Sequence, residues 1–263
     1  MKSFIEGLKD INSGLKRHEL WRYLALNDIQ SRYSRSFLGP LWVVLSTLTF
    51  LIAAGTVYSF VLKVDLNTYF PYIVVSYLIW STYTTITHEL ASSVIASGPY
   101  ILNSSIPIST FSFRVVWRNL ILILHLIPIW LATILIFDLK FSLKSLLFIP
   151  GILIALVSAS CYGTILGIVS ARFRDAPMLV LNVLQIAFFV TPIMWKTDIL
   201  TVDQKWVVEM NPLLPFIELI RNPLLNNETE VALWAKAITI MTVGLLLLLF
   251  TLGRYKRKVP FWL

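Results

Sequence analysis

The residues best suited to chemistry lie close together between positions 76 and 89, inside a mostly apolar stretch. Hydroxyl groups, aromatic rings and two titratable groups follow one another there: Ser76, Tyr77, Trp80, Ser81, Thr82, Tyr83, Thr84, Thr85, Thr87, His88 and Glu89. The three- and four-residue spacing of one helix face connects Tyr77, Trp80, Tyr83 and Thr84. A face that combines rings with hydroxyl groups can contact a polar solute, so the pattern predicts the wall of a path.

A second interpretation of the same residues is helix packing. Serine and threonine hydroxyls often form hydrogen bonds between membrane helices, and tyrosines are frequent at the headgroup level. Rings in the middle of a span fit that interface belt poorly. Both interpretations therefore stay open for the polar run at 76–89.

A similar face recurs further along the chain. Asn182, Gln185 and Phe189 follow one another at three- and four-residue spacing, with Phe188 beside them, and they predict a second wall of the path. Ser46, Thr49, Ala53 and Thr56 show this spacing too, but small residues let helices approach closely. For that third set, packing is at least as good an interpretation.

Groups that could support catalysis or proton transfer are few. His125 lies three residues before Pro128, where a histidine serves either as a proton relay or as a hydrogen-bonded packing residue beside a kink. His88 and Glu89 could hold a gate or reach the membrane interface. With a single cysteine, Cys161, there is neither a disulfide framework nor a Cys/His metal cluster. We expect no catalytic residues and no metal site.

The elements that position these residues are membrane-spanning helices. The chain is 57% hydrophobic and 14% charged, which excludes a water-soluble enzyme, and a bilayer core needs roughly 20 apolar residues in helical form. We predict an all-α polytopic membrane protein with a transmembrane domain over 37–263. Its six spans lie at about 37–62, 70–95, 113–137, 143–170, 178–195 and 234–253.

The positive charge follows membrane topology. Seven of the 22 basic residues fall at or near the outer side if the N-terminus is inside: Lys63, Lys140, Lys144, Lys196, Lys205, Arg221 and Lys236. The remaining 15 lie on the inner side, as basic residues do in cytoplasmic loops. The net charge of +8 is therefore interpreted as a topology signal and as contact with membrane lipids, with no nucleic acid partner and both termini cytoplasmic.

Two further segments of the chain have recognisable helical patterns. Residues 1–36 precede the spans and are expected to be a retained cytoplasmic segment with an amphipathic helix near 20–30 along the inner membrane surface. In the fourth span, small residues repeat every four positions at Ala155, Ala159, Gly163, Gly167 and Ala171. That repeat predicts close helix packing.

Two loops are unusually apolar. The inner loop 97–111 contains Ile101, Leu102, Ile106 and Pro107, and exposed apolar residues of this kind usually contact a partner or the membrane. The outer segment 191–230 places prolines between apolar stretches too short to cross the bilayer, which predicts short re-entrant helices that gate the path. Its candidate gate residues are Pro192, Trp195, Pro212, Pro215 and Arg221.

Three segments together resemble the membrane subunit of bacterial polysaccharide ABC exporters of the ABC-2 type, most closely the O-antigen exporter branch. They are RYSRSFLGPLWVVLSTL at 32–48, ARFRDAPMLVLNVLQIAFFVTPIMW at 171–195 and NPLLPFIELIRNPLL at 211–225. The resemblance covers almost the whole chain and rests on the order and spacing of these motifs.

The resemblance implies a homodimer in the bacterial inner membrane, bound to two copies of a cytoplasmic ABC ATPase subunit. ATP and Mg would then be held by that partner, because this sequence contains no G-x-x-x-x-G-K-[ST] phosphate loop. It also implies that loop 97–111 docks into the ATPase, that the helices after Trp195 form the periplasmic gate, and that a lipid-linked polysaccharide passes along the aromatic residues.

Three other functions are weighed against this one. A drug or small-lipid exporter of the same superfamily would use the same architecture. A membrane enzyme acting on lipid-linked sugars would need a cluster of catalytic groups, which the scattered His125, Glu89 and Asp175 do not provide. A proton-coupled carrier would need a row of intramembrane carboxylates, which the sequence lacks.

Overall fold

A computed structural model describes residues 2–263, so Met1 of the predicted N-terminal segment lies outside the described residues. Over the described range the chain folds entirely into helices and connecting loops, which confirms the predicted all-α class. The helices are α1 (Lys2–Lys16), α2 (His18–Tyr33), α3 (Leu41–Leu62), α4 (Leu66–Ala96), α5 (Gly98–Asn103), α6 (Ile108–Leu124), α7 (Ile127–Ile136), α8 (Phe148–Arg172), α9 (Ala176–Val190), α10 (Trp206–Glu209), α11 (Leu214–Leu224) and α12 (Val231–Tyr255).

Four stretches are long and apolar enough to cross a membrane. They are Leu41–Leu62, Ile108–Ile136, Leu143–Arg172 and Val231–Tyr255, which correspond to four of the predicted runs. The second predicted run is helix α4. At 31 residues it is longer than each of these four stretches, but it carries the polar side chains of residues 76–89. The fifth is α9, a mostly apolar helix of 15 residues that extends only about 22 Å against a bilayer core of about 30 Å.

The third predicted span is broken in its middle. Helix α6 ends at Leu124 and α7 begins at Ile127, with Pro128 in its first turn. Proline lacks a backbone N–H and its ring clashes with the carbonyl group four residues earlier, here that of Leu124, which accounts for the break at this point. The Nδ1 atom of His125 lies 2.9 Å from the carbonyl oxygen of Ile121. This geometry supports the interpretation of His125 as a packing residue beside a kink.

The most extensive contact in the subunit joins α4 to α8. The small residues of α8 make it possible, because a Cβ atom on Gly167 would lie 2.5 Å from the carbonyl oxygen of Leu90, and one on Gly163 would lie 2.7 Å from the Leu90 Cβ. No real Cβ tolerates such a distance, so glycine is required where the two helices cross. The predicted packing role of the small-residue repeat is confirmed.

The N-terminal segment contains two helices where the sequence predicted one. Helix α1 packs along the last part of α12 and against α6, and α2 packs against α6. The Asp10 side chain accepts a hydrogen bond from the backbone N–H of Ser109 at 3.1 Å, and the Ser109 hydroxyl donates to the Asp10 carbonyl oxygen at 2.8 Å. Asp10 thereby caps the start of α6 from a different helix, and α1 is anchored to the body of the subunit.

Helix α4 runs from one end of the subunit to the other. Its first turns contact residues 192–195, and its last turns contact α2 and α6. We call the first of these the loop end, formed by residues 191–213, and the second the N-terminal end, formed by α1, α2 and α5. In the predicted topology the loop end is outside and the N-terminal end is cytoplasmic.

The contact between α4 and α8 can be tested with Gly167→Ala. The added methyl group would overlap the backbone of Leu90, and we expect a loss of about 1–3 kcal/mol of stability, the usual cost of overpacking. The apparent unfolding temperature of the purified protein in detergent measures it. Gly98→Ala is the matched control, because its nearest new neighbour would be 3.9 Å away. Equal stability of the two variants would contradict the close approach.

Candidate transport path and its two ends

Aromatic side chains from three helices lie together on one side of the subunit, and Tyr77 and Phe188 both pack against the cluster that contains Trp80. We call this group the aromatic strip, and it consists of Phe50, Tyr77, Trp80, Phe188 and Phe189. The ring centroids of Phe50 and Tyr77 lie 4.5 Å apart, those of Trp80 and Phe188 5.9 Å apart, and those of Phe188 and Phe189 5.5 Å apart. The structure thus brings together four residues that the sequence predicted for the path. Phe50 was missed, because one phenylalanine in an apolar span gives no signal.

The aromatic strip has a buried floor and an exposed surface. Trp80 is 6% exposed and packs against Ile193 and Ile217. Phe189 is 73% exposed, and Tyr77 and Phe188 are half-buried. A molecule lying on this side of the subunit would therefore contact Phe189 first and reach Trp80 only between the other rings.

Amide groups lie beside the aromatic strip on α9. No residue of this helix is buried, and Asn182 and Gln185 are both exposed. The nearby Thr84 hydroxyl instead donates to the Trp80 carbonyl oxygen at 2.9 Å, within its own helix. Polar side chains that face lipid are costly. The exposed amides therefore indicate that this side of α9 faces protein or water in the assembled protein.

The prediction that Tyr83 lines the same face is wrong. Its side chain is 8% exposed, its ring stacks on Phe216 at 5.5 Å between centroids, and its Oη lies 3.4 Å from the Ser158 Oγ. Each three-residue step along an α-helix falls about 60° short of a full turn, so six residues turn Tyr83 about 120° away from Tyr77. For Tyr83, the helix-packing interpretation is the correct one.

At the loop end, a buried arginine connects three segments of the chain. Arg221 of α11 is 4% exposed. Its Nη1 donates to the Tyr72 Oη at 2.9 Å, to the Ser76 Oγ at 3.1 Å and to the Pro192 carbonyl oxygen at 2.7 Å, while its Nη2 lies 3.2 Å from a Glu218 carboxylate oxygen. We call this group the Arg221 lock. Its guanidinium carbon also lies 4.4 Å from the centre of the Tyr72 ring.

The Arg221 lock fixes the turn that follows α9. The Tyr72 Oη lies 2.8 Å from the Trp195 carbonyl oxygen, and the Asn211 Nδ2 donates to the Thr191 Oγ1 at 2.9 Å. Ile193, within this turn, is fully buried against Trp80 of the aromatic strip. The predicted gate residues Pro192, Trp195 and Arg221 therefore meet at one point next to the aromatic strip.

The two other candidate gate residues are positioned differently. Pro215 is buried in the first turn of α11, and this helix packs among α4, α8 and α12. Pro212 is exposed and lies just before that helix. A buried helix of 11 residues that cannot cross a bilayer fits the predicted re-entrant segment.

At the N-terminal end, charged residues of three helices form one ion cluster. The Arg114 Nε donates to Asp28 at 2.8 Å, and Arg118 donates to Asp28 and to Glu89, both at 2.7 Å. Asn119 also donates to Glu89, at 2.6 Å. Burial opposes ionisation of the Asp28 carboxyl, but the two arginines outweigh it and hold its pKa below the ordinary value.

The ion cluster gives Glu89 a defined role that the sequence left open. Glu89 joins α4 to α6 through Arg118, and the same arginine joins α6 to α2 through Asp28. Arg32 of α2 adds a longer contact to Glu89, at 3.3 Å. The sequence pattern missed this cluster because basic residues were interpreted only as topology signals and because Asp28 and Glu89 lie far along the chain from their arginine partners.

The predicted docking loop is partly helical and partly buried. Leu102 of α5 is 56% exposed, as expected, and Tyr100 beside it is 44% exposed. Ile106 and Pro107 are half-buried. For Ile101 the prediction of exposure is wrong, because its side chain is 9% exposed and packs in a cluster with Val259 near the end of the chain.

A cleft of about 850 Å³ adjoins this segment. It is lined by α1, α5 and the residues after α12, with charged side chains on its walls: Glu6, Lys9, Asp10, Lys256 and Arg257. Leu102 and Pro107 lie along the same cleft. The exposed part of α5 is therefore bordered by a polar recess, an arrangement suited to a protein partner.

Residues 19–225 match the sequence model of a family described as ABC-2 type transporter. The chain belongs to this family. The matched range contains the aromatic strip, the Arg221 lock and the ion cluster. An ABC-2 permease is the membrane subunit of a transporter and not an enzyme, and membership of the family implies pairing with an ABC ATPase subunit.

The chain is similar over most of its length to proteins named as O-antigen export permeases. The chain is 26% identical over 223 residues to an O-antigen export system permease protein RfbA from Klebsiella pneumoniae, covering 83% of this chain and 86% of the relative. A second Klebsiella pneumoniae protein of that name is 26% identical over 224 residues, with the same coverage. One from Myxococcus xanthus is 22% identical over 204 residues, covering 74% and 78%.

The Arg221 lock predicts that the buried turn 191–195 is released when the arginine is removed. Arg221→Leu removes the hydrogen bonds to Tyr72, Ser76 and Pro192 and leaves the mostly buried Glu218 carboxylate without its ion-pair partner, a change that typically costs about 3–5 kcal/mol. In a Cys161→Ala background, an Ile193→Cys thiol should be unreactive with Arg221 present and should be labelled by a membrane-impermeant maleimide in Arg221→Leu. Lys196→Gln is the control, since Lys196 contacts the same tyrosine ring only from 5.5 Å. Unchanged labelling would show that the turn is held without the lock.

The ion cluster predicts a stability difference that depends on pH. Asp28→Asn should lower the stability at neutral pH by about 1.5–3 kcal/mol, as for hydrogen bonds to charged groups. Because the pKa of Asp28 is lowered in the folded protein, its contribution is complete above the unfolded pKa of about 3.9 and is lost as pH falls through the folded pKa. Unfolding temperatures of wild type and variant should therefore converge only below about pH 4. Asp203→Asn, at an exposed site, should match wild type throughout.

Proposed function

We propose that this chain forms, as a homodimer, the membrane channel of an ATP-driven exporter that moves a lipid-linked, O-antigen-like polysaccharide from the cytoplasm across the bacterial inner membrane. The proposal rests on one structural observation, an aromatic strip flanked by exposed amides on a membrane helix. The names of the relatives, which are O-antigen export permeases, support the choice of substrate.

The residues of the strip suit a polysaccharide. The apolar C–H faces of sugar rings pack on aromatic planes, which offer a large apolar surface. Sugar hydroxyl groups exchange hydrogen bonds with amides such as those of Asn182 and Gln185. Neither contact requires a single fixed position, so a polymer can move along Tyr77, Phe188 and Phe189 while it stays bound to the wall.

Two copies of the subunit would enclose the path. Helix α9 contains no buried residue, and α3 exposes Ser46 and Thr49 on its outer surface. The α3 hydroxyls donate to carbonyl groups of their own helix, at 2.7 Å and 2.8 Å, so that surface can pack against a second copy without unpaired polar groups. In the homodimer, α3 would form the contact between copies and α9 would face the path.

The ATPase would act at the N-terminal end. Leu102 and Tyr100 on α5 would enter a pocket of each of two cytoplasmic ABC ATPase subunits, with the neighbouring charged cleft as a second contact. ATP and Mg would be bound by that partner. The ion cluster would carry its movement from α2 and α6 to α4, which holds Tyr77 and Trp80 of the aromatic strip.

The opposite end would be the periplasmic gate. The Arg221 lock holds Ile193 against Trp80, so the turn after α9 closes that end of the aromatic strip. A gate of this kind opens when the lock exchanges its hydrogen bonds for others. With the loop end in the periplasm, both chain termini lie in the cytoplasm.

The polysaccharide path predicts that the double variant Phe188→Ala with Phe189→Ala lowers export by roughly tenfold, the effect of losing two aromatic contacts. Surface polysaccharide and lipid-linked polysaccharide trapped inside the cell measure it, alongside the amount of assembled transporter. The double variant Leu135→Ala with Ile136→Ala is the control, because these apolar residues of α7 are 82% and 74% exposed and lie outside the strip and outside the proposed contact between copies. Loss of a drug or small-lipid efflux activity without trapped glycolipid would favour the other exporter class.

The docking role of α5 predicts that Leu102→Glu separates the subunit from its ATPase or uncouples ATP hydrolysis from export. A carboxylate cannot replace leucine in an apolar pocket without a large desolvation cost. Co-purification of the ATPase and its turnover in vesicles are the measurements. Ile199→Glu changes a similarly exposed residue at the loop end and should leave both unchanged. Normal association and normal coupling in Leu102→Glu would refute the assignment.

A further inference from the structure

A deep apolar groove of about 690 Å³ opens between α7 and α8. Helix α4 forms part of its floor with Val75, Ile79 and Thr82, which lie on the face opposite Tyr77 of the aromatic strip. Ala155 and Ala159 of α8 complete the floor. The groove is thus separate from the proposed path and reaches the packed centre of the subunit.

The groove is open on the membrane side. Its walls include Leu124, Leu131 and Phe141, which are 62%, 52% and 56% exposed. Helices α7 and α8 follow one another in the chain, yet each packs on α4 rather than on the other. The break after Leu124 redirects α7, and the space between the two helices is the result.

An empty groove of this size would lower the stability of the protein. Side chains that border a void lose the attraction of close neighbours, and water is not stable in a cavity whose lining offers almost no hydrogen-bonding groups. The medium around a membrane-spanning helix is hydrocarbon. A flexible hydrocarbon chain therefore fits both the lining and the surroundings of this groove.

Positive charge marks one end of the groove. Lys140 and Lys144 are exposed and flank Phe141 in the connection from α7 to α8. Glu228 lies 4.0 Å from the Lys144 Nζ, but the Lys144 and Glu228 side chains are 84% and 95% exposed, so this pair is weak. Lysine ammonium groups next to a membrane attract anionic headgroups.

We propose that this groove is a binding site for an anionic bilayer phospholipid, with one acyl chain between α7 and α8 and its phosphate at Lys140 and Lys144. A second copy of the chain is a poorer occupant. The exposed amides of α9, which require protein or water, lie on the opposite side of α4, whereas the groove exposes almost only apolar groups. The bound chain would support α7 where the helix break removes its continuous packing.

The test uses the full chain in phosphatidylcholine vesicles doped with phosphatidylglycerol that carries a photoreactive diazirine in one acyl chain. After illumination, mass spectrometry should find cross-links concentrated in segments 120–134 and 148–156. Ile152→Trp fills the groove and should abolish that concentration. Leu153→Trp is the matched control, because the neighbouring Leu153 is 59% exposed and does not line the groove.

The headgroup is tested separately. Lys140→Gln and Lys144→Gln should each lower labelling by phosphatidylglycerol about fivefold relative to a phosphatidylcholine probe, the effect of removing one lysine beside an anionic headgroup. Lys196→Gln and Lys205→Gln, also in the loop-end region, should not. Labelling of these lysine variants tests the proposal even if Ile152→Trp does not fold.

Three results would overturn the proposal. Cross-links spread evenly over all exposed spans would indicate bulk lipid only. Labelling by a diazirine polyprenyl phosphate, but not by phosphatidylglycerol, would assign the groove to a lipid carrier. Disulfide formation between Phe141→Cys residues of two copies would assign it to the subunit interface. None of these outcomes depends on whether the transported substrate is a polysaccharide.

Discussion

Because Gly163 and Gly167 have no side chains, the backbone of α8 lies directly against Leu90 of α4, and this contact fixes the helix from which both ends of the subunit are organised. Near its start, α4 presents Tyr72 and Ser76 to the Arg221 lock. Near its end, it presents Glu89 to the ion cluster. A rigid helix held along its length by α8 couples the two ends mechanically, since any tilt of α4 displaces both sets of polar contacts.

The polar contacts at both ends share one physical property. Each charged group is divided among several segments: Arg221 contacts α4, α11 and the turn after α9, and Arg118 contacts α2 and α4. A buried charge that loses one partner leaves an uncompensated group behind. Arrangements in which only some of these contacts are broken are therefore unfavourable, and any movement of the segments would have to exchange one complete set of partners for another. Discrete states of this kind are what a transporter driven by ATP requires.

Sequence patterns predicted the features that depend on nearby residues. The spacing of small residues in α8 gave the helix contact, Pro128 marked the kink, and the spacing of Tyr77 and Trp80 gave part of the aromatic strip. The three- and four-residue spacing gave the wrong helix face for Tyr83, because the angular offset of each step adds up along the helix. It also failed where the partner is distant in the chain. Asp10 bonds to Ser109 and Asp28 to Arg114, and Ile101 is covered by residues near Val259. No local pattern contains such information.

Helix α9 has a consequence for how the protein is made. Within the described residues it packs on α4 and α8 but fully buries none of its own side chains, so a large part of its surface is left for contacts outside the subunit. If the protein is a homodimer as proposed, a newly synthesised copy without a companion would display Asn182 and Gln185 to lipid, where polar side chains are costly. Pairing in the bilayer would then be needed to stabilise each new copy, and the abundance of the protein would depend on how quickly copies find one another.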